Sequence, residues 1–206
     1  AAHQIYLDES ELQPDWACTL TGLKDSPAKL ARKDEELSLA DAVVVPSSFV
    51  RSTLENYQSC KATIHVVPFG SPPPIVYTTR RDDSRPKSPL RILYVGSLGQ
   101  RKGLSYCLDA VESLGKSVVL TLIGRPTTNS CEPLNRALNQ HNWIETLPHS
   151  QILDQMRKHD VLLFPTLFDG FGLVITEALS QGLPVITTMN SGGPECIRDG
   201  TEGFIV

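Results

Sequence analysis

The feature that most restricts the fold of this 206-residue sequence is a regular alternation of short apolar runs with stretches of helical periodicity. From residue 90 onward, most of the apolar runs end near a glycine or proline, and apolar residues spaced three or four apart follow them. The alternation predicts βαβ units, and therefore an α/β fold with a Rossmann-like parallel sheet and helices on both faces. The predicted strands are residues 91–96, 118–124, 143–147, 161–164, 184–188 and 203–206, and the predicted helices are 104–114, 134–138, 150–158 and 173–180, with Ser150 as a helix cap.

The first 70 residues follow the same pattern in a shorter form. Helices are predicted at 30–40 and 48–57 and strands at 42–46 and 64–68. Two strands cannot easily bury both faces of a parallel sheet, so residues 1–70 are expected to be the closing part of a second, partial α/β domain.

A linker is predicted between the two parts. Residues 71–89 read SPPPIVYTTRRDDSRPKSP, which combines proline, serine and charge without apolar periodicity. The sequence therefore divides into residues 1–70, the linker 71–89 and a domain at 90–206. That last domain ends on a predicted strand without a covering helix, and we expect it to be truncated at its C-terminus.

Composition excludes several classes of protein. With 40% hydrophobic and 20% charged residues the chain can bury a core, so disorder is excluded. A formal charge of -4 argues against a nucleic-acid partner. No apolar run approaches the roughly 20 residues of a membrane span. Five scattered cysteines form no C-x-x-C pair, which favours reduced thiols in a cytoplasmic protein.

Ligands of parallel α/β sheets bind beyond the carboxyl ends of the strands, and one glycine-rich loop lies at such a place. Residues 96–103 read GSLGQRKG and join a predicted strand to a predicted helix. Glycines allow close backbone approach, the helix start attracts anions, and Arg101 and Lys102 could bind phosphate. A surface turn with two solvated cations explains the loop equally well.

A second candidate binding segment is residues 168–179, which read FDGFGLVITEAL. Asp169 precedes the predicted helix and could cap it. Glu177 lies within an apolar helical stretch, where a carboxylate is costly unless it is hydrogen-bonded, for example to ligand hydroxyls. The alternative is a solvent-facing Glu177 on an amphipathic helix; its apolar neighbours favour the functional interpretation.

Three further strand ends are weaker candidates. Residues 190–195 (NSGGPE) could line the same crevice or form only a tight turn with Pro194 at the helix start. Arg125 could meet an anion and the turn 147–149 could edge a base, although a surface position is favoured for each. No metal site is expected: the histidines lack ligand spacing, and the sequence contains neither H-E-x-x-H nor D-x-D.

Together these segments resemble the corresponding motifs of the retaining GT-B glycosyltransferases of family 4, the glycosyl transferases group 1. The loop GSLGQRKG is similar to the family pattern G-[RS]-L-x-x-x-K-G, and residues 169–177 are similar to its E-x7-E motif. The tail QGLPVITTMNSGGPECIRDGTEGFIV resembles the usual continuation of the C-terminal donor-binding domain. EELSLADAVVVPSSFV and IHVVPFG resemble the end of the N-terminal domain, so the likeness covers about residues 33–70 and 90–206.

The resemblance implies an enzyme that transfers a sugar from a UDP-, GDP- or ADP-linked donor to a carbohydrate or lipid-linked acceptor, without cofactor or metal. Lys102, Asp169 and Glu177 would be the catalytic residues, contacting the diphosphate, the transferred sugar and the ribose. The implied substrate-binding residues are Ser97, Leu98, Arg101, Lys102, Arg125, Gly170, Phe171, Gly172, Leu173 and Glu177. The implied location is cytoplasmic, with peripheral attachment of the full-length protein to the inner membrane face.

Two departures from the family pattern affect these assignments. Asp169 stands where glutamate is commoner, which shortens the reach to the sugar by one methylene. Ser97 replaces a common arginine, so one phosphate cation is missing. A non-catalytic sugar-nucleotide-binding module, a GT-B-like sugar-nucleotide epimerase and an unrelated doubly wound domain remain alternatives. Because most of the acceptor domain is outside the sequence, we expect the chain alone to bind donor and to turn over slowly or not at all.

Overall fold

The computed structural model describes residues 2–20, 25–75 and 89–206, and two parallel sheets organise them. Most of the predicted linker, residues 76–88, lies outside the described residues. The strands are β1 (Ala42–Val45), β2 (Thr63–Val66), β3 (Leu90–Val95), β4 (Val118–Ile123), β5 (Asn142–Ile144), β6 (Val161–Phe164), β7 (Val185–Thr187) and β8 (Gly203–Ile205). The α-helices are α1 (Ala2–Leu12), α2 (Pro27–Leu39), α3 (Ser48–Glu55), α4 (Leu104–Leu114), α5 (Glu132–Gln140), α6 (His149–Lys158), α7 (Leu173–Ser180) and α8 (Gly193–Cys196).

The larger sheet has the order β5-β4-β3-β6-β7-β8, and all its strands are parallel. The chain builds outward from β3 to β5, returns to β6, and then builds in the opposite direction. The order therefore reverses between β3 and β6, and a crevice forms beyond the carboxyl ends of these two strands. This confirms the predicted α/β fold.

Two core clusters cover the two faces of this sheet. Successive side chains of a strand point to opposite faces, so Ile92 and Tyr94 pack in one cluster while Leu93 and Val95 pack in the other. The first cluster takes its helical residues from α4 and α5, and the second takes them from α6 and α7. The helices on both faces were expected from the strand–helix alternation.

The smaller sheet consists of β1 and β2, which pair in parallel. Neither α2 nor α3 contains a buried residue. Ser26 caps α2 by accepting a hydrogen bond from the Lys29 N–H, and Pro27 follows at the first helical position.

Three local predictions are wrong. The fifth predicted strand, 143–147, is shorter and earlier, because β5 pairs with β4 only over Asn142–Ile144. Ser150 is not a cap, because α6 begins at His149 after Pro148. Asp169 does not cap α7 directly, since Gly172 occupies the cap position.

The segment before residue 20 was not predicted. It forms α1 and a 3₁₀ helix at Pro14–Thr19, and its Trp16 is buried in the α4–α5 core cluster of the larger sheet. Among the described residues no helix is both long and apolar enough to cross a membrane.

Candidate active site

The loop after β3 and the loop after β6 meet at the point where the strand order reverses. The Leu167 N–H donates a hydrogen bond of 3.1 Å to the carbonyl of Arg101. Gly103 adopts a φ of +69°, and a Cβ at this position would lie 1.8 Å from the Pro165 carbonyl oxygen. Only glycine therefore allows the two loops this close approach.

Lys102 lies at the centre of this junction. Its ammonium donates a hydrogen bond to Asp169 and lies 5.1 Å from the centroid of the Phe164 ring. The residue is 7% exposed, and burial lowers the pKa of its ammonium although the negative charge of Asp169 opposes the shift. A nearly buried cation with a single carboxylate partner among the described residues is suited to receive an anionic ligand.

Asp169 is held from two sides. Its carboxylate accepts from Lys102 through Oδ2 and from the Phe171 N–H through Oδ1, at 3.3 Å. Its own N–H donates to the carbonyl of Asn190 at 2.9 Å, so the candidate segment 190–195 also reaches the crevice. The sequence separates Lys102 from Asp169 by 67 residues, and the fold brings their charges together.

The start of α7 faces the same crevice. Gly172 has a φ of +81°, and a Cβ there would lie 2.9 Å from the Phe164 ring, so this turn also requires glycine. Leu173 is the first helical residue and is exposed, and helix starts carry free N–H groups and a partial positive charge.

Glu177 lies about 6 Å further along the α7 axis, since a helix rises 1.5 Å per residue. Its side chain is 20% exposed, and Oε1 is 2.9 Å from Nε2 of His149. His149 is the first residue of α6, which follows β5 and therefore starts at the carboxyl edge of the sheet. The Glu177 carboxylate therefore lies beside the first residue of α6, near the carboxyl edge of the sheet.

The other residues implied by the resemblance differ in what the structure leaves free. Ser97, Arg101 and Arg125 are exposed, although the Arg101 side chain hydrogen-bonds to Tyr6, and the Leu98 side chain is buried. The Leu98 N–H donates to the carbonyl of Arg125 at 2.9 Å, so this amide is used within the fold. The Phe171 side chain is also buried, and the carbonyl of Gly170 accepts from Ser47 Oγ at 2.6 Å.

Contacts from the smaller unit, the described residues 25–75 around β1 and β2, were not predicted from the sequence. Phe49 packs edge-on against Phe168 with ring centroids 5.4 Å apart, and Phe69 packs likewise against Phe171 at 5.3 Å. Glu195 Oε1 accepts from the Ser48 N–H at 2.5 Å, while its buried Oε2 has no hydrogen-bond partner among the described residues. No sequence periodicity signals such contacts, because they join segments more than 100 residues apart.

Metal ligands are not grouped in the described ranges. Within residues 2–20, 25–75 and 89–206, no set of three or more His, Cys, Asp or Glu side chains is placed to hold a metal ion. The five cysteines are free thiols.

Comparisons with known proteins identify the family of the chain. The model of the family described as "Glycosyl transferases group 1" matches residues 77–206. Among curated proteins, the lipopolysaccharide glucosyltransferase WaaG of Escherichia coli K12 is 26% identical over 166 residues, covering 74% of this chain and 44% of WaaG. The chain spans less than half the length of the curated relatives it matches.

Solved structures show the same fold. Sucrose-phosphate synthase from Thermosynechococcus elongatus superposes with a TM-score of 0.73 at 21% identity, over 99% of this chain and 53% of that one. The pneumococcal O-GlcNAc transferase GtfA superposes with a TM-score of 0.65 at 20% identity, over 87% of this chain and 36% of that one. Because the family model covers more than half of the sequence, the chain belongs to the glycosyl transferases group 1, and its sheet has the GT-B architecture of these neighbours.

Proposed function

We propose that this chain is the donor-binding part of a retaining, metal-independent glycosyltransferase of family 4. It would transfer a sugar from a nucleotide-diphosphate sugar to a carbohydrate or lipid-linked acceptor. The observation that carries the proposal is the pairing of the buried Lys102 with the partly buried Asp169 beside the start of α7, at the reversal of strand order. Relatives support the substrate class: GtfA is described in complex with UDP and GlcNAc, and WaaG is named a lipopolysaccharide glucosyltransferase.

Lys102 is assigned to the donor diphosphate. An ammonium carries three N–H donors, so Lys102 can keep Asp169 and still donate to phosphate oxygens. As the bond to the sugar breaks, negative charge grows on the leaving diphosphate, and a preoriented cation in a nearly dry site stabilises that charge. The free N–H groups at Leu173 would add donors without adding a charged side chain.

Asp169 and Glu177 are assigned to the sugar and the ribose. Asp169 lies beside the Lys102 ammonium, which is assigned to the diphosphate. Its carboxylate is therefore near the place where positive charge develops on a transferred sugar of oxocarbenium character. Glu177 has one oxygen engaged by His149, so the other oxygen is available to a pair of ribose hydroxyls. These cationic and backbone donors, together with the missing D-x-D motif, support the metal-independent assignment.

Donor binding is tested by calorimetry with UDP, GDP, ADP and their sugar conjugates. We expect Glu177→Ala to weaken binding of the preferred nucleotide about 10- to 100-fold, the loss typical of one charged hydrogen-bonding partner. The matched control is Glu112→Ala, which removes an exposed carboxylate from the last turn of α4. Equal affinity in wild type and Glu177→Ala, or no binding of any of these nucleotides, would contradict the proposal.

The retaining and metal-independent assignments are tested in the transfer reaction of the complete gene product. Proton NMR of the first product formed in the presence of EDTA reports both anomeric configuration and metal dependence. A retained configuration and undiminished rate are expected. An inverted product would overturn the retaining assignment, and a rate abolished by EDTA would overturn the metal-independent one. The cytoplasmic location and peripheral membrane attachment stay predictions from the family resemblance.

A further inference from the structure

A buried polar network joins α1 to the loop that carries Lys102. Gln100 is fully buried and Glu9 is 5% exposed. The Gln100 side-chain amide donates to Glu9 Oε1 at 2.5 Å and to Ser105 Oγ at 2.6 Å. Gln100 Oε1 accepts from the Ser105 N–H at 3.1 Å, so both ends of the amide are held.

The same network also fixes the backbone of the loop. The Gln100 N–H donates to Thr19 Oγ1 at 2.9 Å, and Thr19 is buried at the end of the 3₁₀ helix Pro14–Thr19. The second oxygen of Glu9 accepts from the Tyr106 hydroxyl at 3.1 Å. Residues before position 20 thus hold Gln100 by both its side chain and its main chain.

Lys102 follows Gln100 in one short 3₁₀ turn, Gln100–Lys102. Within that turn the Lys102 N–H donates to the Gly99 carbonyl at 3.1 Å and the Gly103 N–H donates to the Gln100 carbonyl at 2.8 Å. A turn this short has few internal hydrogen bonds, so its orientation depends on contacts from outside. The Glu9 and Thr19 contacts fix Gln100 at the start of the turn, and the hydrogen bond from the Leu167 N–H to the Arg101 carbonyl holds its middle.

The burial of the Glu9 carboxylate needs an explanation in terms of free energy. Burying Glu9 costs free energy unless its oxygens are hydrogen-bonded, and apolar residues would pack the same volume without that cost. Trp16 already anchors this segment in the core. Glu9 and Thr19 lie outside residues 77–206, which match the family model, whereas Gln100 lies within them, so the network joins the matched domain to the segment before it.

We propose that Glu9 and Gln100 are positioning residues for the diphosphate site. They hold the turn 100–102 so that the Lys102 ammonium points at Asp169 and at the donor phosphates. The inference rests on the proposed function, because it assigns to this network the binding of the same donor.

The test exchanges the two partners. Gln100→Glu places a second carboxylate against Glu9, so repulsion displaces the turn, and we expect nucleoside diphosphate affinity to fall about tenfold or more. The double variant Glu9→Gln/Gln100→Glu restores one donor and one acceptor, and we expect its affinity to return to within about threefold of wild type. Calorimetry at pH 8 with UDP, GDP and ADP gives Kd, and hydrogen exchange reports the amides of residues 99–103.

Milder variants guard against failure of Gln100→Glu to fold. Thr19→Val removes the acceptor of the Gln100 N–H at nearly constant volume, whereas Thr19→Ser keeps it. Faster exchange of the loop amides and weaker binding are expected for Thr19→Val and not for Thr19→Ser. Glu11→Gln changes an exposed carboxylate on the same helix and is expected to behave as wild type.

The outcomes separate the two proposals. A lowered melting temperature with unchanged Kd in Gln100→Glu and Thr19→Val would show a merely structural role and overturn the inference. The inference would also be overturned if the double variant Glu9→Gln/Gln100→Glu did not recover affinity. If wild-type protein binds none of the three nucleotides, the proposed function fails. Exchange of the loop amides, measured without nucleotide, still reports whether the network orders the turn.

Discussion

The two parallel sheets of this protein are built from similar strands and are buried very differently. In the larger sheet, the last four residues of β3 and of β4 are buried. In the smaller sheet, β1 and β2 alternate exposed and partly buried residues, and only Val45 is buried. Val44 of β1 is 66% exposed, whereas Leu93 of β3 is fully buried.

The difference shows that an apolar strand acquires its stabilising role from the helices that cover it. The larger sheet has α4 and α5 on one face and α6 and α7 on the other, so parallel strands bury both faces. The helices next to the smaller sheet, α2 and α3, contain no buried residue. The described part of the smaller unit therefore depends on the larger one for ordered contacts, such as Ser47 to Gly170.

The largest effect is expected from a matched pair of core truncations. Leu93→Ala removes a fully buried side chain and should lower the free energy of unfolding by about 2–5 kcal/mol, through lost burial and the cavity it leaves. Val44→Ala in the smaller sheet should cost about 0.5 kcal/mol or less. Urea unfolding followed by circular dichroism measures both. Equal costs would break the comparison between the sheets.

A smaller effect is expected where the units touch. Ser47 Oγ donates to the Gly170 carbonyl and also accepts from the Val50 N–H as the cap of α3. Ser47→Ala should cost about 1 kcal/mol, the usual loss for such a cap. Ser52→Ala, on the exposed side of the same helix, is the control and should change stability little. A negligible loss in Ser47→Ala would show that the contact does not hold the smaller unit.

The smallest effect concerns pH and the buried cation. Burial lowers the pKa of Lys102 below its ordinary value of 10.5, so between the two values the unfolded chain binds more protons than the folded one. Raising the pH through this window therefore favours the folded state. The unfolding free energy of wild type should rise relative to Lys102→Met as pH approaches 10.5.

The control for this titration comes from the smaller unit. Lys61→Met removes an exposed cation next to β2 and serves as the matched control variant. A wild-type profile that runs parallel to that of Lys102→Met would contradict the sign assigned to Lys102. It would also remove one difference between the two units, namely that the cation of the larger one is desolvated.

Periodicity predicted the large sheet well because its information is local. Runs such as residues 118–124 and the spacing of Leu104, Cys107 and Val111 depend only on neighbouring residues, and the core clusters confirm them. The glycines of residues 96–103 were expected to allow close backbone approach, and Gly103 lies against the Pro165 carbonyl, another part of the chain.

The contacts that build the site were less accessible to sequence reasoning. Lys102 and Asp169 were placed in one crevice by topology and family resemblance, but their direct hydrogen bond depends on loop geometry. The partner of Glu177, His149, belongs to the turn 147–149, for which the sequence favours a surface position. Glu9 gave no signal, since a short amphipathic helix looks the same whether its carboxylate meets solvent or Gln100.

The position of Trp16 has a practical consequence for cutting this protein into pieces. A truncated form beginning at residue 77 would match the family model from end to end and keep all six strands of the larger sheet. It would nevertheless leave a hole beside α5 where the indole packs, and it would uncover the rings of Phe168 and Phe171. The boundary recognised by sequence is therefore a poor place to cut, and a shortened version made for crystallisation or binding studies should retain the residues before position 20.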